Sequence, residues 1–355
     1  MNQRADLIAT PFPNPPTEGE AVQLADGLLW FRLPLPIKLD HVNCYALDDG
    51  DSWTIIDTGM GNARTRAIWA SLLAGPLAGR PVKRLIVTHH HPDHVGLAGW
   101  FIAQGVELLM SRTAWLMARM LTLDVQPVSP PEALRFYTLA GMDAGLLAKK
   151  STDRPFNFAD CVDPLPLGFT RLIDAQQIRI GGRDWVVRLG DGHAPDHVTL
   201  WAAAGDLVIG GDQLLPQISP NLGVYPTEPD ADPVGDWIAS CDRLAGFATP
   251  GQLVLPGHKL PFSGLPLRLR QMAENHHAAL ARLVLALASP LRAVDCFGPL
   301  YKRAIGPGEY GLALAEALGH LNHLHRAGRV RRWVAADGAW RWQAIAPDAH
   351  RFSQG

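Results

Sequence analysis

The sequence predicts a mixed α/β protein whose sheets are covered by helices, and three observations carry that prediction. Short apolar runs of strand length alternate with stretches of helical period. Many of those runs end at a polar residue or in a loop containing Gly or Pro. The chain has 355 residues, 47% of them hydrophobic, with a formal net charge of -2, enough to bury a sizeable core in one large domain and one smaller one.

Taken in order, residues 1–20 are a proline-rich lead-in with little regular structure. Strand-like runs follow at about 28–33, 42–47, 53–56 and 84–87, with a helix near 62–74 between the last two. Leu97 to Gln104 opens a further helix. Residues 111–163 form a helical insertion with two patterns, Thr113 to Leu123 and Pro131 to Lys150, separated by the break at Pro127 to Pro131. That insertion reads either as a packed helical hairpin or as a lid over a cleft. Residues 266–288 carry an amphipathic pattern, and Gly311 to Val330 places Leu314, Leu318, Leu321 and Leu324 on one helical face. Two strand-like runs around Asp337-Gly338 then signal a hairpin.

Composition argues against several classes. Nothing globally basic points to nucleic acid, and no apolar run reaches the length of a membrane span. The amino-terminal segment lacks the apolar core of a secretory signal, and four dispersed cysteines suggest a reducing compartment, so the expected location is the cytoplasm. The chain has neither a GxSxG elbow nor a GxxxxGK loop, which removes support for serine acyl-enzyme chemistry and for nucleotide-driven phosphoryl transfer.

The most informative window is THHHPDH, Thr88 to His94, at the end of the run Leu85-Ile86-Val87. Imidazole and carboxylate suit zinc and other borderline divalent cations. His89 and His91 alternate by two, so an extended segment aims them the same way, while Pro92 turns the chain and lets Asp93 and His94 address a second point. Four further segments end in a chemically useful residue: Asp57 in IIDTGMG, His193 in GDGHAPDH, Asp212 after LVIGG and His258 in LVLPGHK. His90 points away from its neighbours by the same alternation, and His197 reads as packing or a hydrogen bond in the His193 loop. His276 and His277 fit a helix following the site.

The order DTG, HxHxDH, GH, GD, PGH over about residues 25–260 resembles the metallo-β-lactamase fold superfamily. The resemblance implies an αββα sandwich with the metals at one edge, spanning 21–265 as the catalytic domain, and a glyoxalase II-like ligand set. It implies that His89, His91 and His193 hold one metal, that Asp93, His94 and His258 hold the other, and that Asp212 bridges them. The ions would be divalent, zinc first, with manganese or iron(II) also compatible. Asp57 would orient the ligand loop, and Asp93 would orient the bridging water and hand its proton to the leaving group. Such a hydroxide, between ions about 3.5 to 4 Å apart, is the nucleophile the resemblance implies.

Two departures narrow the chemistry. None of Cys44, Cys161, Cys241 or Cys296 stands where true β-lactamases of the best-known class place a metal-binding cysteine, so antibiotic hydrolysis is not expected. His91 stands where the redox di-iron members usually carry glutamate, which points to the hydrolytic branch. The tail, residues 266–355, resembles the winged-helix module of the branch that includes a lactamase-like endoribonuclease. True glyoxalase II tails are helical throughout and do not match its hairpin.

Three readings follow. The first is a binuclear hydrolase of a small ester, thioester or lactone, with Tyr225 and Ser219 as substrate-contact candidates in the segment after Asp212. The second is a single-strand endoribonuclease, drawing on Arg326, Arg329, Arg331, Arg332 and Arg341 with Trp333, Trp340 and Trp342. The third is a metal-bound binding protein that has lost catalysis, against which the full ligand set is present.

Overall fold

A computed structural model describes residues 7–345. The chain forms two compact units, the first containing the sequence up to Val125 with Phe156–Pro220 and Ser240–Gln271, the second Gln126–Pro155, Asn221–Ala239 and the sequence from Met272. The division is discontinuous, whereas the sequence reading places one boundary at 265.

The first unit is built on two sheets. The larger has the order β1 (Val22–Ala25), β2 (Leu28–Pro34), β3 (His41–Asp48), β4 (Trp53–Ile56), β5 (Val82–Ile86), β6 (Glu107–Met110) and β7 (Thr170–Arg171). Its first four strands pair antiparallel and the pairs from β4 to β7 are parallel. Parallel neighbours need a crossover, supplied between β4 and β5 by α1 (Ala63–Ala74) and between β5 and β6 by α2 (Pro92–Val95) and α3 (Ala98–Ile102). The second sheet comprises β8 (Gln177–Ile180), β9 (Arg183–Gly190), β10 (His197–Ala202), β11 (Leu207–Gly211) and β12 (Leu253–Pro256), in the order β12-β11-β10-β9-β8. Only β11 and β12 are parallel.

Alternation along the strands sorts their side chains into two cores. Phe31, Leu33, Ile55 and Leu85 join Trp69 of α1 and Phe101 of α3 on the helix-covered face. There Trp69 meets both phenylalanines edge-on, at centroid distances of 5.1 and 4.8 Å. Trp30, Tyr45, Ile56 and Ile86 face the other way and pack with Trp185, Val187, Leu200, Ile209 and Leu255 of the second sheet. Sheet therefore lies on sheet, as the αββα expectation requires. The helix α4 (Arg112–Leu123) adds Ala114 and Ala118 to the helix-covered core.

The second unit holds α5 (Pro131–Leu139), α6 (Ala144–Thr152), α9 (Phe297–Tyr301), α10 (Tyr310–Arg326) and the hairpin of β13 (Val330–Val334) with β14 (Trp340–Ala344). Two helices cross the division, α7 (Pro233–Ala245) at Ser240 and α8 (Leu265–Ala286) at Met272. Leu314, Leu318, Leu321 and Leu324 of α10 are all buried, as their spacing predicts.

Two expectations need correction. Pro131 to Lys150 is two helices, because Gly141 takes a left-handed φ of 77° and Asp143 then caps α6 by accepting from the amides of Gly145 and Leu146. Residues 111–163 are likewise not one insertion, since α4 belongs to the first unit and α5 and α6 to the second. Among the described residues, no helix is long and apolar enough to cross a membrane. The cysteines are buried free thiols.

Candidate metal centre

The parallel pairing of β4 with β5, and of β11 with β12, carries the loops after these strands to like ends of their sheets. Asp57 follows β4, the histidine cluster follows β5, Asp212 follows β11 and His258 follows β12. The loop after β9 adds His193. Candidate ligands scattered from His89 to His258 thus meet through the topology, at strand ends where loops display functional groups on a rigid frame.

Three groups of side chains bring one ligand atom each to within 4.8 Å of one another: His89, His91 and His193; His89, His94 and Asp212; and Asp93, His94 and His258. In the first, His91 Nδ1 lies 2.9 Å from His89 Nε2 and 3.0 Å from His193 Nε2. A tetrahedral cation with bonds of 2.0–2.1 Å to nitrogen holds its ligand atoms about 3.3 Å apart, so these nitrogens need move little to share one. Asp212 touches both ends of the cluster. Its Oδ1 is 3.5 Å from His94 Nε2, and its Oδ2 is 3.5 Å from His193 Nε2 and 3.2 Å from His258 Nε2. Asp93 Oδ2 sits 3.3 Å from His258 Nε2 and 3.6 Å from His94 Nε2.

The donor set fits a cation. Among the described residues, His94 Nε2 and Asp212 Oδ1 are buried without a hydrogen-bond partner, a costly state for polar atoms that a bound ion would relieve. Gly257 leaves room for this carboxylate, since a Cβ there would overlap Asp212 Oδ1.

The far side of three of these imidazoles is held in turn. Asp57, 2% exposed and with a left-handed φ of 60°, accepts from Thr88 N at 2.8 Å and from Thr88 Oγ1 at 2.9 Å. It also accepts from His94 Nδ1 at 2.8 Å. Because the Thr88 hydroxyl donates to Asp57, its oxygen is left to accept from His89 Nδ1 at 3.0 Å. His258 Nδ1 donates to His41 O at 2.7 Å. His89, His94 and His258 therefore each carry a proton on Nδ1 and turn Nε2 inward.

Electrostatics divides the cluster. Burial, followed by the neighbouring imidazoles, holds His89 and His91 well below the usual histidine range and so neutral. Burial also opposes charge on His94 and His258, but the carboxylates outweigh it. Asp212, Asp93 and Asp57 push His94 well up, and Asp212 and Asp93 push His258 up to about 10. Asp212 is held well down despite its own burial, by His258 and His94.

The remaining candidates sort clearly. Asp57 contacts Thr88 and His94, so it is a positioning residue. His90 is buried, its ring parallel to Phe158 at 6.4 Å. His197 both stacks on His89, at 4.5 Å, and accepts from Asp212 N at 3.1 Å. His276, in the second unit, is buried against His320 with 3.2 Å between ring nitrogens, and His277 is exposed. Ser219 is exposed, and Tyr225 in the second unit places its hydroxyl 3.4 Å from Asn221 Oδ1. Sequence reasoning missed Thr88 and His41, which act through hydrogen bonds that no spacing encodes.

Residues 37–258 match the Metallo-beta-lactamase superfamily and residues 280–345 match the Metallo-beta-lactamase-like, C-terminal domain. The chain is 25% identical over 311 residues to the "Probable metallo-hydrolase YqjP" of Bacillus subtilis (strain 168), covering 84% of this chain and 92% of that one. It is also 25% identical over 223 residues to a "Linear primary-alkylsulfatase" of Pseudomonas sp. (strain ATCC 19151), covering 59% of this chain and 40% of that one. Among solved structures, a beta-lactamase domain protein from Burkholderia ambifaria superposes with a TM-score of 0.87 at 33% identity, covering 97% of this chain and 100% of that one. A metallo-beta-lactamase family protein from Thermus thermophilus gives 0.76 at 26% identity, covering 91% and 100%. With its His/Asp cluster at the strand ends of a two-sheet sandwich, the chain belongs to the metallo-beta-lactamase superfamily and is a metal-dependent hydrolase of it.

Proposed function

We propose that the chain is a cytoplasmic binuclear hydrolase with a glyoxalase II-like ligand set, acting on a small ester, thioester or lactone. The observation that carries this reading is Asp212, whose carboxylate faces His193 of one ligand group and both His94 and His258 of the other, the place a carboxylate shared by two ions would take. His89, His91 and His193 would hold one cation, and Asp93, His94 and His258 the other. Zinc suits this mixture of imidazole and carboxylate, and manganese and iron(II) are compatible with it.

When bound, two such cations lower the pKa of water and polarise a carbonyl oxygen. The protein's own groups do the rest. Asp93, whose side chain is 21% exposed where the other carboxylate of the cluster is 8%, is the acid–base group nearest to arriving substrate. Its Oδ2, braced by His258 and His94, is placed to orient water and to carry a proton to the leaving group. Ser219 and Tyr225 stay candidates for substrate contact.

A small-molecule substrate is also favoured by the carboxyl-terminal arginines. The helix-plus-hairpin tail is winged-helix-like, but Arg332 lies over Trp340 and Trp342, at 4.6 and 5.1 Å, and pairs with Asp230. Arg331 bonds Gln343 and Arg341 bonds Asp337. Cations and rings engaged with each other are poor stacking platforms for RNA.

The test is hydrolysis by metal-loaded protein of a panel of thioesters, lactones, short esters, a linear alkyl sulfate and a labelled single-stranded RNA, with chelated protein and Asp212→Ala as controls. Turnover of an ester, thioester or lactone that disappears with chelation and falls in a folded Asp212→Ala by more than the roughly 10- to 100-fold that loss of a ligand's outer partner causes supports the reading. Cleavage of RNA or sulfate alone, or turnover indifferent to chelation, overturns it.

A further inference from the structure

His258 sits in a loop that turns sharply, with Lys259 at a left-handed φ of 72°. A residue held by so short a turn points wherever the flanking peptides point, and both flanking carbonyls are gripped by one side chain. The Asn43 amide donates to Pro256 O at 2.9 Å and to Lys259 O at 2.9 Å. Its oxygen accepts from Trp30 Nε1 at 2.9 Å and from Arg32 Nε at 3.1 Å. The Asn43 backbone amide adds a bond to Gly257 O at 2.7 Å.

A carboxamide has two donor and two acceptor positions, and here all four are filled. The orientation of the amide is forced as well. Indole and guanidinium nitrogens only donate and peptide carbonyls only accept, so a flipped amide would lose every bond. Arg32 reinforces the grip by donating from its second nitrogen to Lys259 O at 2.7 Å. Asn43 is 1% exposed, so water offers no substitute for these partners.

We propose that Asn43, braced by Arg32, is the positioning residue for His258 and thereby sets the occupancy of one cation position and not the other. This rests on the two-cation reading above. Asn43 fixes residues 256, 257 and 259, and His41 O fixes His258 Nδ1, so Nε2 is left facing Asp93 and Asp212 at 3.3 and 3.2 Å. The group formed by His89, His91 and His193 is braced through Thr88 and by mutual contacts instead. Loss of the Asn43 amide therefore frees His258 and leaves the three histidines where they are. An aspartate at 43 has the same shape but turns an oxygen toward two carbonyl oxygens, which converts the grip into a repulsion.

The experiment is a zinc(II) titration of metal-free, full-length protein against a competing chelator, for the wild type, Asn43→Ala, Asn43→Asp and Arg32→Met. The wild type should take up two equivalents. The Asn43 variants should bind the first as the wild type does and the second about 10- to 100-fold more weakly, the usual effect of removing support behind a ligand. Arg32→Met, which leaves the amide donors in place, should weaken the second equivalent only a few-fold. An asparagine that merely stabilised the fold would lower the melting temperature without separating the two equivalents. A folded Asn43 variant that binds both equivalents normally, or weakens both alike, overturns the inference alone. If neither Asn43 variant folds, an unchanged second equivalent in Arg32→Met overturns it. A wild type that binds a single equivalent overturns the two-cation reading, and this inference with it.

Discussion

Asp57 Oδ2 accepts from His94 Nδ1 at 2.8 Å and, through the Thr88 hydroxyl, stands behind His89 Nδ1 as well. One buried carboxylate thus sets the proton position and ring angle of two imidazoles from adjoining ligand groups. Its left-handed backbone, sparsely populated for a residue with a Cβ, is the local cost of placing it there.

Asp57→Asn tests this relationship. An amide in that place must turn its N–H toward one of the donors that the carboxylate served, so His94 or Thr88 loses its acceptor. Metal affinity is expected to fall roughly 10- to 100-fold, with a stability loss of about 1–3 kcal/mol from the unsatisfied buried group. Chelator competition and denaturant melts would check both.

Metal uptake should release protons and weaken as the medium becomes acidic. His94 and His258 are both raised above the ordinary histidine value in the metal-free protein, the latter to about 10, so both are protonated at neutral pH and must deprotonate to bind. Their charged forms also stabilise the metal-free fold. Because the folded values lie above the unfolded one of 6.5, that contribution is complete below pH 6.5; the part due to His258 is lost as pH rises through about 10, and the part due to His94 is lost well above pH 6.5. Acidification of a weakly buffered solution on zinc addition would show the release. No proton release at pH 7 would refute the assignment of these two imidazoles as cations.

Gly257→Ala should disable the centre without touching a ligand. The added methyl overlaps Asp212 Oδ1, and the loop that could yield is itself bonded to Asn43 and His41. Expected are loss of tight metal binding and about 1–3 kcal/mol of destabilisation from overpacking. Metal analysis after dialysis, beside a thermal melt, would check it; a variant with full metal content would show that Asp212 has room to move.

In the second unit, burial pushes Glu316 up to about 7, although Tyr301 Oη at 3.4 Å and Asn221 Nδ2 at 3.3 Å help its charged form. The folded value exceeds the ordinary 4.5, so the stability tied to its protonated form is complete below pH 4.5 and lost as pH rises through about 7. Glu316→Gln keeps the shape and removes the titration. The variant should be more stable than the wild type at pH 8 by about 1–2 kcal/mol, discounted for the partial exposure of the side chain. Melts at pH 5 and pH 8 give the comparison.

Much of the centre was legible before any coordinates. His89, His91, Asp93, His94, His193, Asp212 and His258 each follow an apolar run and carry a donor that suits a divalent cation. The helix–hairpin order of the tail was equally visible in the spacing of its leucines and in Asp337-Gly338. The split of Pro131 to Lys150 was less so, because apolar residues at Met142 and Leu146 keep helical spacing across the turn at Gly141.

The sequence by itself determined which residue types stand at strand ends and what chemistry they can perform, because periodicity and donor character are properties of near neighbours along the chain. Only the tertiary structure decided that β3 supplies Asn43 and His41 to the loop of His258, that Asp57 stands behind both His89 and His94, and that residues 126–155 join the second unit. Those relationships join positions as far as 217 residues apart, and they arise from strand order and register. No local pattern encodes them, since a hydrogen bond between distant segments leaves no period in either one.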